Sequence, residues 1–197
     1  MGVTLSCRTP RGAPWQAYLR ARAQQLQRAL VLGRTEISLA LVDDADMRAL
    51  NRTYRGVDRA TDVLAFPLRE EANGGAPRCA GAAACLLGDV VISIDTAAAQ
   101  ARAGHAPLAA RLDVLLIHGV LHLLGYDHEV SAVEARRMAR RASALRAVLV
   151  AELSATARPR ARPIGRSARR ADGLRGALAG RSMMPESMSC PSLKALP

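Results

Sequence analysis

The sequence predicts an α+β domain in which helices pack on a mixed β-sheet. Three observations favour this class. The chain has 197 residues, half of them hydrophobic, which is enough for one domain of about 150 residues with a sizeable core and an appendage. Short segments with the pattern of strands are interspersed with longer segments that carry helix-capping residues. The predicted order of elements is β-α-β-α-β-β-α-α-α, which is typical of an α+β arrangement.

Four short segments are predicted to be strands. The alternation of apolar with smaller or polar residues, clearest at residues 37–41, is the period-two pattern of a half-buried strand. Residues 86–94 are mainly apolar and rich in β-branched side chains, which indicates a central strand buried on both faces. In chain order, the candidate strands are residues 3–7, 37–41, 61–66 and 86–94.

Five helices are predicted from the residues that begin and end them. Pro14 is a favourable first helical residue, and Gly33 ends the segment that it begins. Ser131 and Glu134 have the spacing of a capping box. In chain order, the candidate helices run from Pro14 to residue 32, from Asp43 or Asp44 to residue 54, from Asp95, from Pro107, and from Ser131 to about residue 153.

Positive charge is concentrated at the end of the chain. The net charge is +11, and residues 156–197 contain nine basic residues against two acidic ones. Proline and glycine interrupt this segment, which has no sustained amphipathic period. We therefore predict a folded domain over residues 1–155 and an Arg-rich, disordered tail over residues 156–197. The tail is either an auxiliary RNA-binding arm, since basic segments favour polyanions, or a solvated extension without function.

Cysteine usage and hydropathy indicate the compartment. The four cysteines are scattered and form no Cys-x-x-Cys pair, which predicts a reducing environment without disulfides. No apolar run approaches the roughly 18 to 20 residues that cross a bilayer. The first residues lack the charged head and long apolar stretch of a secretory signal. We therefore expect a cytoplasmic protein with no membrane partner.

Three of the four histidines lie within eleven residues and have the spacing of a metal site. His118 and His122 are four residues apart, so a helix would place them on one face. Gly125 can end that helix in a left-handed conformation and return His128 to the same ion. Three imidazoles leave one tetrahedral position open, which is typical of catalytic zinc. The sequence thus predicts one Zn²⁺ per chain, bound at the end of a helix and in the following turn; hydrogen-bonded core histidines are the alternative.

The residue after the first histidine bears on the reaction. Hydrolysis is the default chemistry of such a site, because a bound zinc ion acidifies water and polarises a carbonyl or phosphoryl oxygen. The metzincin proteases share the histidine spacing, but there a glutamate follows the first histidine and acts as general base. Gly119 occupies that position here. A metallopeptidase is therefore the less favoured reading.

Three segments together resemble the YbeY family of bacterial endoribonucleases. They occur in the order and spacing of that family, and the similarity covers roughly residues 1–155. Departures from the family pattern at Val57, Arg59, Ala60 and Ala65 affect no proposed metal ligand. The three segments are LNRTYRGVDRATDVLAFP at residues 50–67, LGDVVI at residues 87–92 and HGVLHLLGYDH at residues 118–128.

The resemblance implies a metal-dependent endoribonuclease specific for single strands. Such an enzyme matures the 3′ end of 16S rRNA during ribosome biogenesis and takes part in late ribosome quality control. His118, His122 and His128 would bind the metal, and His118 and Arg55 would be the catalytic residues, with no separate cofactor-binding residue. An arginine suits this role because its guanidinium binds a phosphate bidentately, although a surface salt bridge is its alternative.

Further residues and partners follow with less support. Asp62 and Asp89 are expected to orient local backbone, and Asp127 to assist a ligand histidine. His105 is expected to be exposed. The expected partners are single-stranded RNA, 16S rRNA and the ribosome or its proteins, with no DNA. Sparse aromatic residues argue against a base-stacking platform and favour backbone recognition in a basic cleft. The competing functions are a metzincin-like metallopeptidase or hydrolase and a non-catalytic, ribosome-associated zinc protein.

Overall fold

A computed structural model describes residues 2–33, 35–68 and 85–156, which lie within the compact unit Met1–Pro159. The order of its strands and helices is the predicted one, with a 3-10 helix at Pro10–Trp15 added. The strands are β1 (Gly2–Cys7), β2 (Thr35–Val42), β3 (Val63–Pro67) and β4 (Cys85–Ser93). The helices are α1 (Gln16–Ala29), α2 (Asp44–Arg55), α3 (Ile94–Ala103), α4 (Leu108–Leu123) and α5 (Ala132–Thr156).

The four strands form one mixed sheet in the order β1-β2-β4-β3. β1, β2 and β4 are parallel, whereas β3 is antiparallel to β4. β4 is an inner strand, and its consecutive residues Val90, Val91 and Ile92 are all buried, so both of its faces are covered. The predicted α+β class and the central position of this apolar strand are confirmed.

Apolar residues form a core on each face of the sheet. On one face, α1 and α4 pack against the sheet, α3 and α5 pack against α4, and all four helices contribute to a large cluster that includes Leu39, Val90 and Leu116. On the other face, Met47 of α2 packs against Leu64 and Val91 in a smaller cluster. Val90 and Val91 are adjacent in β4 and point to opposite sides, so the two cores are separated by the sheet. α2 and α4 thereby lie on opposite faces.

The five helices begin within two residues of the predicted starts. The side chain of Asp43 accepts a hydrogen bond from the Asp46 amide at 2.9 Å and caps α2. The Ser131 hydroxyl accepts one from the Glu134 amide at 3.1 Å. Two starts are displaced by one or two residues. The α-helix after Pro14 begins only at Gln16, because residues 10–15 form the 3-10 helix, and α3 is capped by Ser93 rather than begun by Asp95.

A buried ion pair joins three helices, and the sequence did not predict it. Arg22 of α1 donates from Nε and Nη2 to the two carboxylate oxygens of Asp113 in α4, at 3.0 and 2.7 Å. Its Nη1 also donates to the carbonyl oxygen of Leu149 in α5, at 2.9 Å. The Tyr18 hydroxyl donates to Asp113 at 2.9 Å. The helical layer is therefore held together by a bidentate, fully hydrogen-bonded pair.

Several expectations concern residues that the structure does not describe. Residues 69–84, which are rich in glycine and alanine, and residues 157–197 of the predicted tail lie outside the described residues. The domain boundary after residue 155 therefore stays a prediction. Within the described ranges, no helix has the length and apolar character needed to span a bilayer.

Candidate metal centre

The last turn of α4 holds the first two histidines as the sequence predicts. His118 and His122 lie one turn apart, and their Nε2 atoms are 3.1 Å from each other. Gly125 has a φ of 78°, the left-handed conformation that glycine adopts without strain. The Gly125 amide donates to His122 O at 2.9 Å, and the Tyr126 amide donates to Leu121 O at 3.1 Å. These two bonds form a Schellman motif, which ends the helix and reverses the chain.

The reversal brings His128 to the other two histidines. One ligand nitrogen from each ring lies within 4.8 Å of the others, and the ring centroids are 4.6 to 5.2 Å apart. Zinc–nitrogen bonds of 2.0–2.1 Å place two ligands of a tetrahedral ion about 3.3 Å apart, close to the separation of His118 and His122. The three side chains therefore fit a divalent ion of the zinc type, with His128 needing a small inward shift.

Burial keeps the two helical histidines uncharged. The pKa of His118 is lowered to about 4, first by burial and then by the neighbouring His122 and His128. The pKa of His122 is also lowered, first by burial and then by His128. A neutral imidazole offers the lone pair that a metal ion requires, so both ligands are already deprotonated at neutral pH.

Gly119 lies where α4 approaches the sheet most closely. A Cβ at this position would be 2.5 Å from Cγ1 of Val90 and 3.4 Å from Cγ2 of Val63. Glycine is therefore required by the packing of α4 on β4 and β3. A glutamate here, as in the metzincins, would have no room unless the helix moved away from the sheet.

The histidines open into a cleft of about 740 Å³ between the end of α4, the following turn, β3 and the end of α2. The described residues that line it include one arginine, Arg55, and three carboxylates, Asp62, Asp127 and Glu129. Over this described lining, the expected basic cleft is wrong. The net charge of a protein does not say where its charges lie, and here negative groups surround the histidines.

Arg55 reaches the cleft from the opposite side of the sheet. It is the last residue of α2, which ends at Gly56 in a left-handed conformation with a φ of 68°. Its side chain is 55% exposed, and its Nη2 lies 3.7 Å from Oε1 of Glu129, which is 67% exposed. The structure thus places this arginine at the rim of the histidine cleft. Its one ion pair among the described residues is long and open to solvent.

The three aspartates differ in their surroundings. Asp62 accepts from the Val63 amide at 2.9 Å and from Nη2 of Arg111 at 2.9 Å. Asp127 accepts from the Glu129 amide at 2.8 Å. Its oxygen lies 3.8 Å from Nδ1 of His128, too far for a hydrogen bond. Asp62 and Asp127 therefore accept hydrogen bonds from the local backbone, and Asp127 does not hydrogen-bond to His128 as a partner of a ligand histidine would.

The remaining predicted positions lie outside the cleft. Asp89 is paired with Phe66 within the sheet and does not line it. His105 is exposed in the connection before α4, as expected, and is not part of the histidine cluster. The sequence did not predict that Arg111 and Gln100 both donate to Asp62, at 2.9 and 3.1 Å. These residues are far apart in the chain, so no local pattern connects them.

Comparison with known proteins gives a consistent result. The sequence model of the family described as endoribonuclease YbeY matches residues 13–149. An endoribonuclease YbeY of an Anaeromyxobacter species is 51% identical over 145 residues, which cover 74% of this chain and 70% of the relative. The endoribonuclease YbeY of Moorella thermoacetica is 49% identical over 119 residues, which cover 60% of this chain and 76% of the relative.

A solved structure shares the fold. A solution structure of a protein from Thermotoga maritima aligns with a TM-score of 0.55 and 24% sequence identity. The alignment covers 83% of this chain and 99% of that chain. At this level of identity the likeness shows the fold alone.

Proposed function

The chain belongs to the YbeY endoribonuclease family, and from this premise we propose that it is a single-strand-specific metallo-endoribonuclease. Its substrate would be the 3′ end of 16S rRNA during maturation, and it would also act in late ribosome quality control. One observation carries the proposal: three histidine nitrogens within 4.8 Å of one another and an exposed arginine line the same cleft.

We propose that His118, His122 and His128 bind one zinc ion per chain. An ion with three protein ligands keeps one position open, and when bound it lowers the pKa of a water molecule and polarises a phosphoryl oxygen. The protein supports this binding by holding the two helical imidazoles uncharged and close together. The Schellman turn at Gly125 fixes the direction from which His128 approaches.

Arg55 is proposed to bind the substrate phosphate. A guanidinium donates two parallel hydrogen bonds to a phosphate and opposes the charge that develops during cleavage. Its present partner, Glu129, is a weak competitor, because an exposed ion pair contributes little free energy. A phosphate entering the cleft can therefore replace this carboxylate on Arg55.

Peptide hydrolysis is disfavoured by the packing at Gly119. The carboxylate that zinc peptidases place after the first histidine is missing, and the contact with Val90 leaves no space for it. A phosphodiester does not need that group in that place. A non-catalytic role on the ribosome is the remaining alternative, and the family relationship with endoribonucleases argues against it.

Single strands should be preferred for a geometric reason. In-line attack needs a backbone that can rotate about the scissile phosphate, whereas an A-form helix holds its phosphodiesters in a fixed geometry. We propose the ribosome or its proteins as the setting in which single-stranded rRNA is presented.

The test compares cleavage of single-stranded and duplex RNA at fixed salt by the zinc-loaded full chain. The parent should cut the single strand preferentially. Arg55→Ala should reduce cleavage by about ten- to a hundred-fold with unchanged zinc content, and Arg55→Lys should restore it in part. Arg52→Ala is the matched control, because Arg52 is exposed in the same helical turn but does not line the cleft. Equal cleavage by all four proteins would refute the role of Arg55.

Casein is the discriminating second substrate. If the parent cleaves casein but not RNA, and His122→Ala abolishes the casein cleavage, the protein would be assigned as a peptidase and not as a nuclease. Binding to ribosomes without cleavage of either substrate would favour the non-catalytic alternative.

Residues 1–155 are proposed to be the complete catalytic unit, with the Arg-rich residues 156–197 dispensable for it. A chain truncated after residue 155 should bind zinc and cleave single-stranded RNA. If the removed arginines contact phosphates, RNA affinity should become weaker and less salt-dependent. Loss of zinc binding on truncation would show that the boundary is wrong.

A further inference from the structure

The cleft cannot by itself account for the binding of a polyanion. Among the described residues that line it, only Arg55 is cationic, whereas Asp62, Asp127 and Glu129 carry negative charge. Most of the affinity of proteins for nucleic acid comes from cations that neutralise phosphates. If the chain binds RNA, cations beyond Arg55 and a bound metal ion are needed, and candidates for them lie outside the described lining of the cleft.

The first turns of α5 carry four arginines in six residues, 136–141. Met138, Leu145 and Leu149 of this helix are buried, so the opposite face points to solvent. Arg136 and Arg140 lie on that exposed face, and Arg137 and Arg141 flank it. We call Arg136, Arg137, Arg140 and Arg141 the arginine track.

Arg137 pairs with Glu134 at 3.3 Å, whereas two features of the other three arginines suit them to an external anion. Arg136, Arg140 and Arg141 form no hydrogen bond or ion pair with any residue that the structure describes. Arg136 and Arg140, like Arg137 and Arg141, are four residues apart, and like charges at this spacing repel each other on a helix. A line of closely spaced anions would remove this repulsion.

The track begins beside the metal cleft. The guanidinium carbon of Arg137 lies 5.0 Å from the centre of the Tyr126 ring, and Tyr126 lines the cleft. At 1.5 Å of rise per residue, the four arginines extend about 7.5 Å along the axis of α5. An RNA strand that leaves the cleft next to Tyr126 would therefore lie directly beside the arginine track.

We propose that the arginine track binds the phosphate backbone of single-stranded RNA adjacent to the scissile bond. The inference rests on the proposed function, which supplies the strand in the cleft. The RNA backbone would be bound by α5, and the phosphodiester would be cleaved in the cleft. Recognition by arginines spaced along a helix is independent of base sequence, as expected for contacts with phosphates.

The test is the salt dependence of binding of a labelled single-stranded RNA of about 20 nucleotides to the zinc-loaded full chain. Anisotropy is read before cleavage, which a gel of the same sample verifies. Each phosphate contact contributes about 0.7 to the slope of log K against log salt for single strands. Arg136→Gln/Arg140→Gln should therefore lower the slope by about 1.4 and weaken binding on the order of ten-fold at 0.1 M salt.

The matched control removes the same charge elsewhere. Arg20 in α1 and Arg102 in α3 are exposed and do not line the cleft, so Arg20→Gln/Arg102→Gln should leave the slope close to that of the parent. Arg136→Lys/Arg140→Lys should retain most of the slope, because the charge is kept. Equal effects of the two glutamine variants would mean that only net charge matters and would overturn the proposal. An unchanged slope in Arg136→Gln/Arg140→Gln would overturn it as well.

Two further readouts keep the outcomes separate. Both arginines are exposed and unpaired among the described residues, so the melting temperature of the glutamine variant should match that of the parent. Binding that depends on the track without any RNA cleavage would leave the track standing and refute the nuclease function. RNA cleavage together with unchanged RNA binding in Arg136→Gln/Arg140→Gln would support the nuclease function and refute the arginine track.

Discussion

The polar side chains near the two ends of α4 differ in their hydrogen bonding. Near its start, Asp113 is buried and bonded to Arg22 and Tyr18, and the side chains of the ion pair are only 3% and 9% exposed. We call this buried pair the sealed end of α4. Near its end, His118 and His122 are partly buried without any carboxylate bonded to either ring among the described residues, and their pKa values are lowered. At the Asp113 end, the polar atoms are hydrogen-bonded within the fold. At the histidine end, the imidazole nitrogens line a cleft.

The comparison shows how stability and function are separated along a single helix. The sealed pair fixes α4 against α1 and α5, and each of its charges has several hydrogen bonds. At the histidine end, burial disfavours protonation of the imidazoles, and among the described residues the two rings contact each other through Nε2 and not a carboxylate. A buried polar cluster with complete hydrogen bonding is a structural element, whereas one with unused lone pairs is a candidate for binding.

Breaking the sealed end should have the largest effect on folding. Asp113→Ala leaves the Arg22 guanidinium buried without its carboxylate, which should lower the free energy of unfolding by about 3–5 kcal/mol. Asp58→Ala is the control, because its pair with Arg48 is more than half exposed on both sides and should therefore contribute far less to the free energy of unfolding. Urea denaturation measures both. Similar losses of unfolding free energy in Asp113→Ala and Asp58→Ala would mean that the buried ion pair contributes no more to stability than an exposed one.

Filling the contact at Gly119 should have the next largest effect. Gly119→Ala places a methyl group 2.5 Å from Val90, so the helix must shift, at a cost of about 1–3 kcal/mol. Gly104→Ala is the control, since its Cβ would meet only a carbonyl oxygen at 3.3 Å. Thermal unfolding of both variants is the measurement. Gly119→Ala at parent stability would mean that α4 is not held to β4 as tightly as described.

The histidine site could be predicted from the sequence, whereas the buried ion pair could not. The histidine site is local: His118, His122, Gly125 and His128 fall within eleven residues, and helix geometry converts their spacing into a position in space. The Schellman turn follows from one glycine. Arg55 lies in another part of the chain, and it was connected to the site by resemblance to a family and not by spacing.

The sealed end depends on contacts that no local pattern contains. Arg22 and Asp113 are 91 positions apart, and Asp62 and Arg111 are 49 apart. Nothing in the periodicity of α1 or α4 distinguishes these side chains from others that face solvent. The expectation of a basic cleft was wrong for a related reason, since net charge is a sum over the chain and the lining of a cleft is set by tertiary packing.

A smaller effect is expected when the histidine end is titrated. The pKa of His118 is about 4 in the folded chain against an ordinary value of 6.5, so between these pH values the unfolded state binds a proton that the folded state does not. The unfolding free energy of the metal-free chain should therefore fall as the pH is lowered from about 6.5 to about 4. His118→Gln should show a shallower decline in urea denaturation across this window. Parallel curves for parent and variant would mean that His118 titrates normally.

Metal content is the most direct measurement of the central claim, that the open end of α4 is a three-histidine metal site. The full chain, stripped and reloaded with Zn²⁺, should retain about one ion after dialysis, because three imidazoles complete all but one position of a tetrahedral ion. His122→Ala should lose most of it, whereas His105→Ala should retain it, since His105 is exposed and outside the cluster. Equal zinc content in the parent and His122→Ala would contradict the account.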